Sequence, residues 1–177
     1  LADAASAWGR LDILVNNAGI TRHARDHSDL DALSREDFLD TYAVNVAGPF
    51  LVMQACKPLM VKAFEQTGRA STVLNISSIA GVTGIGSSVA YAATKGAIHA
   101  LTRAMAVDCA GDGIRVNSIS PGSVRTPLLE FSARELAING KTVDDMIAEF
   151  GASHPIGRVG MPAETSAMIA YLCSDTA

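Results

Sequence analysis

The chain has 177 residues, of which 49% are hydrophobic, 18% charged and 5% aromatic, and its formal net charge is −4. This length predicts one domain, the apolar content excludes a disordered chain, and the negative charge argues against a nucleic-acid binder. No apolar run approaches the roughly 20 residues of a membrane span, so no membrane association is expected. The three cysteines lie far apart without a CxxC motif, and the opening LADAASAWGR has no signal-peptide pattern. We therefore expect a cytoplasmic protein with reduced thiols.

The first structural signals along the chain are three short apolar runs, at 11–15, 72–76 and 114–119. The first, LDILV, is nearly continuous in apolar residues, which is typical of a strand covered on both faces. The other two are rich in Val and Ile and are bounded by turn residues. We predict a β-strand at each of the three.

Helical patterns separate these strands. Between 35 and 65, apolar residues recur at mixed spacings of three and four, and Pro49 and Pro58 should bend or interrupt the helix. A second long helix is predicted over 88–110.

The segment after the third strand is less regular. Short helices are predicted at 127–137 and 142–150, and a final helix should run from near Pro162 to about Cys173.

The alternation of strand and helix predicts an α/β fold with a parallel sheet. Ligands bind such sheets at the carboxyl ends of the strands. Segments rich in small and turn-forming residues follow the three strands, at 16–21, 77–88 and 120–127. We expect these segments to meet around one binding site.

Tyr91 and Lys95 lie near the start of the second long helix, in the segment YAATK. A spacing of four places both side chains on one face of the helix, one turn apart. A nearby ammonium group favours the phenolate and lowers the pKa of a tyrosine, so Tyr91 could exchange protons near neutral pH. The alternative is a partly buried tyrosine beside a solvated lysine, because YxxxK is common by chance.

Two polar residues upstream could complete such a site. Ser78 follows the second strand, where its hydroxyl could bond a substrate oxygen shared with the tyrosine; Ser77 is its competitor, and either could be a turn residue. Asn45 lies four residues before Pro49, which has no amide hydrogen, so the Asn45 carbonyl could bind water. The alternative is a surface asparagine.

Six ordered segments, which together span nearly the whole chain, resemble the short-chain dehydrogenase/reductase family. They are Asn16-Asn17-Ala18-Gly19, Asn45 in NVAG, Ser78 in NISSIAG, Tyr91 and Lys95 in YAATK, Pro121-Gly122 with Thr126 in PGSVRT, and PIGRVGMPAE at 155–164. The resemblance implies a Rossmann-like parallel sheet with helices on both faces, present here as its central and C-terminal part. It makes 1–177 a single partial domain, in which 123–161 closes over the substrate.

The resemblance also implies an activity. The chain would belong to an NAD(P)-dependent oxidoreductase that interconverts a secondary alcohol and a ketone. Tyr91 would be the general acid/base, and Lys95 would lower its pKa. Ser78 would position the substrate carbonyl, and Asn45 would hold a water of the proton relay.

A second set of residues is implied to bind the cofactor, NAD or NADP. Tyr91 and Lys95 would contact the nicotinamide ribose. The adenosine ribose would lie against the loop residues Asn17, Ala18 and Gly19. The nicotinamide would lie against a second loop, formed by Pro121, Gly122, Val124 and Thr126. The helices at 35–65 and 88–110 would form the interface of a homodimer or homotetramer.

The chain departs from the family pattern in its dinucleotide-binding part. The TGxxxGxG turn that receives a pyrophosphate is absent, and GVTGIG at 81–86 follows the middle strand, so we interpret its glycines as turn residues. The residue that selects NAD or NADP and the last strand of the family are also absent. We therefore expect 1–177 to be part of a longer chain and to bind no dinucleotide tightly when isolated.

The same residues are less consistent with two other classes of enzyme. A serine hydrolase would need a GxSxG turn, which does not occur, and a histidine placed to pair with Ser78. A metal site could be imagined from His23, Asp26 and His27, but loop histidines are usually solvated, so no metal is expected. The remaining alternative is an inactive fragment or a non-catalytic binding protein of the same fold.

Overall fold

The computed structural model describes residues 7–21, 30–86 and 88–177. Three parallel strands form one sheet in chain order: β1 (Ile13–Asn16), β2 (Ser71–Ile76) and β3 (Ile114–Ile119). Leu14, Val73 and Val116 lie side by side in the register of the sheet. The predicted strands and their parallel arrangement are confirmed.

The helix predicted at 35–65 consists of three helical segments that follow one another without a break. These are α1 (Arg35–Tyr42), a π-helical turn (Ala43–Ala47) and α2 (Gly48–Thr67). Pro49 lies in the first turn of α2, where an amide hydrogen is not needed, and Pro58 lies inside α2 without ending it. The predicted interruption is therefore the π turn that precedes Pro49.

The second long helix is α3 (Val89–Cys109), as predicted. Both α2 and α3 pack on the sheet, and their apolar side chains share one buried core with it. The members of this core include Leu14, Met53, Met60, Val73, Met105, Ile114 and Val116.

The strand β1 is covered on one face by the described residues. Leu14 is 7% exposed, whereas its neighbours Ile13 and Val15 are 45% and 36% exposed. The expectation that this strand is covered on both faces is therefore wrong for the part of the chain that the structure describes. By contrast, β2 is buried along nearly its whole length.

One helical stretch, Arg35–Thr67, is long and apolar enough to cross a membrane if length and composition alone are considered. A core helix of a soluble protein passes the same test. Here Met53, Cys56 and Met60 from this stretch are buried against the sheet.

The last third of the chain carries three helices: α4 (Pro127–Leu136), α5 (Val143–Ala152) and α6 (Pro162–Leu172). α4 and α5 have a small core of their own around Ala133, Met146 and Ile147. The two ends of the segment 123–161 lie side by side, because the Gly160 carbonyl accepts a hydrogen bond from the Arg125 amide (2.9 Å) and the Gly160 amide donates one to the Ser123 carbonyl (2.8 Å). The segment 123–161 thus leaves and rejoins the sheet edge at one point.

Candidate active site

A cleft of about 500 Å³ lies at the carboxyl edge of the sheet. Residues from the loops after all three strands line it, among them Gly19 after β1, Ser78 after β2 and Gly122 after β3. The predicted meeting of the three loop segments is confirmed. Leu128 and Leu129 of α4 and Ile169 of α6 add an apolar wall.

Tyr91 and Lys95 line this cleft from successive turns of α3. The Lys95 Nζ atom lies 5.5 Å from the centroid of the Tyr91 ring and donates a hydrogen bond to the Ile76 carbonyl at the end of β2 (2.8 Å). Lys95 is 5% exposed, so the alternative of a solvated lysine is wrong.

The electrostatics of the pair differ from the sequence-based expectation. Burial raises the pKa of Tyr91, and a hydrogen bond with Ser78 offsets part of that increase. Burial also lowers the pKa of Lys95 to about 8. The net change in the tyrosine pKa is therefore upward, opposite to the predicted direction, because the desolvation of Tyr91 disfavours its phenolate.

The two adjacent serines have separate roles. Ser78 precedes the 3-10 turn Ile79–Gly81 and accepts a hydrogen bond from the Ala80 amide (3.2 Å), and its hydroxyl acts against the increase in the Tyr91 pKa. The buried Ser77 hydroxyl instead donates to the Lys95 carbonyl (2.7 Å). The geometry therefore selects Ser78 as the serine beside the tyrosine.

Asn45 is 2% exposed and lies in the π turn, so the alternative of a surface asparagine is wrong. Its side chain forms two hydrogen bonds with the backbone of Ile20, accepting from the amide (2.8 Å) and donating to the carbonyl (2.9 Å). It also donates to the Thr94 hydroxyl on α3 (3.1 Å). Asn45 thereby joins the loop after β1 to the helix that carries Tyr91 and Lys95.

The segment after β1 lies against the same residues. A Cβ atom added to Gly19 would lie 3.4 Å from both Lys95 Nζ and Asn45 Oδ1. Asn17 and Gly19 line the cleft, whereas Ala18 is not among its lining residues.

The four residues predicted to face the nicotinamide all line the cleft: Pro121, Gly122, Val124 and Thr126. The Thr126 hydroxyl also caps α4, since it accepts a hydrogen bond from the Leu129 amide (3.3 Å). A Cβ atom on Gly122 would lie 2.9 Å from Cε1 of His154. The Nε2 atom of this histidine accepts a hydrogen bond from the Ser123 amide (3.0 Å).

The glycines at 81–86 do not share one role. A Cβ on Gly81 would meet the backbone of α3 at 2.6 Å, whereas none of the described atoms lies within 4 Å of one on Gly84 or Gly86. The interpretation as a turn glycine is confirmed for Gly81, which ends the 3-10 turn Ile79–Gly81 and also permits a close backbone approach.

Two histidines of the site were missed by the sequence reasoning. His99 lies one helical turn after Lys95 and contacts Ser77 and Ser120, and His154 adjoins the loop after β3. The spacing of Tyr91, Lys95 and His99 could have identified the first. Nothing in the sequence alone places His154 beside Gly122.

The metal candidates His23, Asp26 and His27 lie outside the described residues. Within 7–21, 30–86 and 88–177, no group of three or more His, Cys, Asp or Glu side chains could hold a metal ion.

Known proteins are similar to this chain in sequence and in architecture. A family model described as enoyl-(acyl carrier protein) reductase matches residues 1–177. The L-fucose dehydrogenase of Mus musculus is 35% identical over 99% of this chain and 59% of its own length. The 3-oxoacyl-[acyl-carrier-protein] reductase of Thermotoga maritima is 36% identical over 95% of this chain and 61% of its own.

A solved structure agrees with these relatives. The structure of ElxO with NADP bound superimposes with a TM-score of 0.79 at 29% identity, over 98% of this chain and 64% of that one. The chain thus spans about three fifths of the length of the relatives it matches. With the family model covering every residue, and the predicted motifs gathered at one cleft, the chain belongs to the short-chain dehydrogenase/reductase family.

Proposed function

We propose that the protein containing this chain is an NAD(P)-dependent oxidoreductase that interconverts a secondary alcohol and a ketone, with Tyr91 as its general acid/base. The observation that carries the proposal is that Ser78, Tyr91 and Lys95 line one cleft, with the Lys95 Nζ atom 5.5 Å from the centroid of the Tyr91 ring. This is the arrangement needed to hold a carbonyl oxygen and deliver a proton to it.

The residues present fit the nicotinamide and ribose part of a dinucleotide. An ammonium group has three N–H donors, and among the described residues Lys95 Nζ donates to the Ile76 carbonyl, which leaves donors for a ribose diol. Gly19 has no side chain at the place where a Cβ would lie 3.4 Å from Nζ. The NADP bound in ElxO supports the same cofactor class for this protein.

When bound, the nicotinamide supplies or accepts the hydride. In the direction of reduction, the hydroxyl groups of Ser78 and Tyr91 donate hydrogen bonds to the substrate oxygen. Tyr91 then transfers its proton to that oxygen as negative charge develops there. Burial raises the pKa of Tyr91, so the tyrosine is fully protonated in the resting site and ready to act as the acid.

Lys95 has two functions in this scheme. As an ammonium group it stabilises the phenolate that Tyr91 becomes after proton transfer. Its pKa of about 8 also allows it to pass a proton towards the phenolate near neutral pH. Asn45 holds the loop after β1 against α3, and we propose that its carbonyl binds the water that renews this proton.

The experiment is a panel of secondary alcohols and ketones, assayed with NAD and with NADP on the full-length protein. Turnover by the wild type, absorbance change of the nicotinamide and its loss in Tyr91→Phe would support the proposal. Wild-type protein that folds, binds neither dinucleotide and converts no member of the panel would overturn it in favour of a non-catalytic binding protein.

A further inference from the structure

His99 lies behind the site and contacts the loops after two strands. Its Nε2 atom is 3.1 Å from the hydroxyl oxygen of Ser77 and 3.2 Å from that of Ser120. Its Nδ1 atom is 3.5 Å from the hydroxyl oxygen of Ser118 in β3. One ring on α3 therefore touches the ends of both β2 and β3.

The partners of His99 stand directly before residues that line the cleft. Ser77 precedes Ser78, and Ser120 precedes Pro121 and Gly122. The spacing of four from Lys95 places His99 on the same helix face as the lysine, one turn further from the substrate. The ring is thus linked, through one residue in each case, to both walls of the site.

The hydrogen bonds of Ser77 show that the Nε2 atom of His99 carries hydrogen. Ser77 has one hydroxyl proton, and it donates that proton to the Lys95 carbonyl at 2.7 Å, which is an acceptor only. Ser77 must therefore accept in its contact with His99, and Nε2 must carry hydrogen. The Ser118 hydroxyl faces the other ring nitrogen, Nδ1, at 3.5 Å.

Among the described residues, the backbone hydrogen bonds of these two loops join them to each other and not to α3. The Ser77 amide donates to the Ile119 carbonyl (2.8 Å) and the Ile79 amide to the Pro121 carbonyl (3.1 Å), which joins the two loops to each other. The bonds of Ser77 to Lys95 and of His99 to Ser77 and Ser120 join both loops to α3.

We infer that His99 is a positioning residue of the reaction: its Nε2–H group holds the Ser78 loop and the Pro121–Gly122 loop at a fixed distance from Tyr91 and Lys95. The inference rests on the proposed function, since its consequence for catalysis requires the reaction described above. A small displacement of groups that must meet one oxygen atom lowers turnover steeply.

Two substitutions of His99 by side chains of similar size separate the effect of its hydrogen-bond donor from the effect of its packing. The amide nitrogen of His99→Gln stands the same number of bonds from Cβ as Nε2 of histidine and can donate to Ser77 and Ser120. His99→Met fills similar space without a donor, and both residues are good helix formers. We expect kcat to fall by about 10- to 100-fold in His99→Met and to recover most of that loss in His99→Gln.

Thr102→Val is the matched control on the same helix. It removes a buried hydrogen bond from Asn75 of β2 (2.9 Å), two residues before the Ser77 loop. We expect Thr102→Val to lower the melting temperature without the fall in kcat. Equal kcat values for His99→Met and His99→Gln, or an equal fall in Thr102→Val, would overturn the inference.

Amide hydrogen exchange at Ser77 and Ile79 provides a readout that needs no turnover. We expect faster exchange at both amides in His99→Met than in the wild type, and wild-type exchange in His99→Gln. If the wild type proves inactive with both nicotinamides, the proposed function fails, and amide hydrogen exchange alone then tests the positioning role of His99. Faster exchange confined to His99→Met supports the positioning role, and equal exchange in the two variants rejects it.

Discussion

Gly81 passes so close to Lys95 that a Cβ atom on the glycine would lie 2.6 Å from the lysine's carbonyl carbon. Its other nearest atoms, the Lys95 carbonyl oxygen (2.7 Å) and the Gly96 nitrogen (2.8 Å), are also backbone atoms of α3. A helix backbone cannot move aside as a side chain can. The turn that carries Ser78 is therefore seated directly on the helix turn that carries Lys95.

Gly81→Ala should force this turn away from α3. We expect a loss of about 1–3 kcal/mol in the free energy of unfolding, as for other overpacked positions, and a lower kcat. Gly84→Ala is the matched control, because no described atom lies within 4 Å of a Cβ there. Denaturant unfolding and steady-state assays of the full-length variants test this; equal stability of the two would contradict it.

Tyr91→Phe removes the proposed proton donor and leaves the ring in place. We expect kcat to fall by about 10²- to 10⁴-fold, the usual contribution of a general acid, with a nearly unchanged dissociation constant for the cofactor. Tyr171→Phe, at an exposed tyrosine of α6, should retain full activity. A Tyr91→Phe enzyme with most of its turnover would remove the tyrosine from the mechanism.

The buried ammonium group of Lys95 predicts how stability changes with pH. In the folded chain Lys95 loses its proton near pH 8, whereas in the unfolded chain it keeps it until about pH 10.4. The unfolded state therefore binds more protons in this window, and the contribution of Lys95 to stability rises with pH. Relative to Lys95→Met, the wild type should gain free energy of unfolding between pH 8 and 10.

Lys57→Met is the control for that titration. The hydrogen bond from Lys57 to Asp112 raises the pKa of this lysine, so Lys57 stays largely protonated in both the folded and the unfolded chain between pH 8 and 10. The stability difference from the wild type should be constant across the window. A constant difference for Lys95→Met as well would show that Lys95 is not desolvated in solution.

Gly122→Ala tests the contact with His154. An added methyl group would lie 2.9 Å from the imidazole Cε1, so the ring must move and lose its hydrogen bond from the Ser123 amide. We expect Gly122→Ala and His154→Ala each to cost about 1 kcal/mol of stability, the worth of one hydrogen bond. Because both remove the same bond, the double variant should cost less than the sum; strict additivity would contradict this.

The assembly predicted from the family resemblance can be tested on α2. Phe50 and Leu51 are 46% and 56% exposed in the single chain, and we expect a homodimer or homotetramer to bury them. Phe50→Glu should then reduce the molar mass of the full-length protein in light scattering. Gln54→Glu, one turn further along the same helix, adds the same charge at an exposed polar position. Wild-type protein that is already a monomer would reject the prediction.

Most of this fold could be predicted because local patterns and tertiary packing agree. The three strands and the helix around Tyr91 and Lys95 follow directly from periodicity, and the parallel order then gathers the loops at one edge. The direction of the tyrosine pKa could not be predicted, because spacing gives the nearness of Lys95 and not the burial of both groups. The role of Gly81 depends likewise on an inter-element distance that no local pattern contains.

The π turn at Ala43–Ala47 determines how α1 and α2 are rotated relative to each other about the helix axis. A carbonyl in a π turn accepts a hydrogen bond from the amide five residues later, not four as in an α-helix, and the Ala43 carbonyl accepts one from the Gly48 amide in this way. The extra residue rotates the side chains of α1 about the helix axis relative to those of α2. This allows α1 to present Thr41 to one neighbour and α2 to present Met53 and Met60 to the sheet. Deleting a single residue here would restore phase, turn α1 by roughly 100° and swing Asn45 away from Ile20.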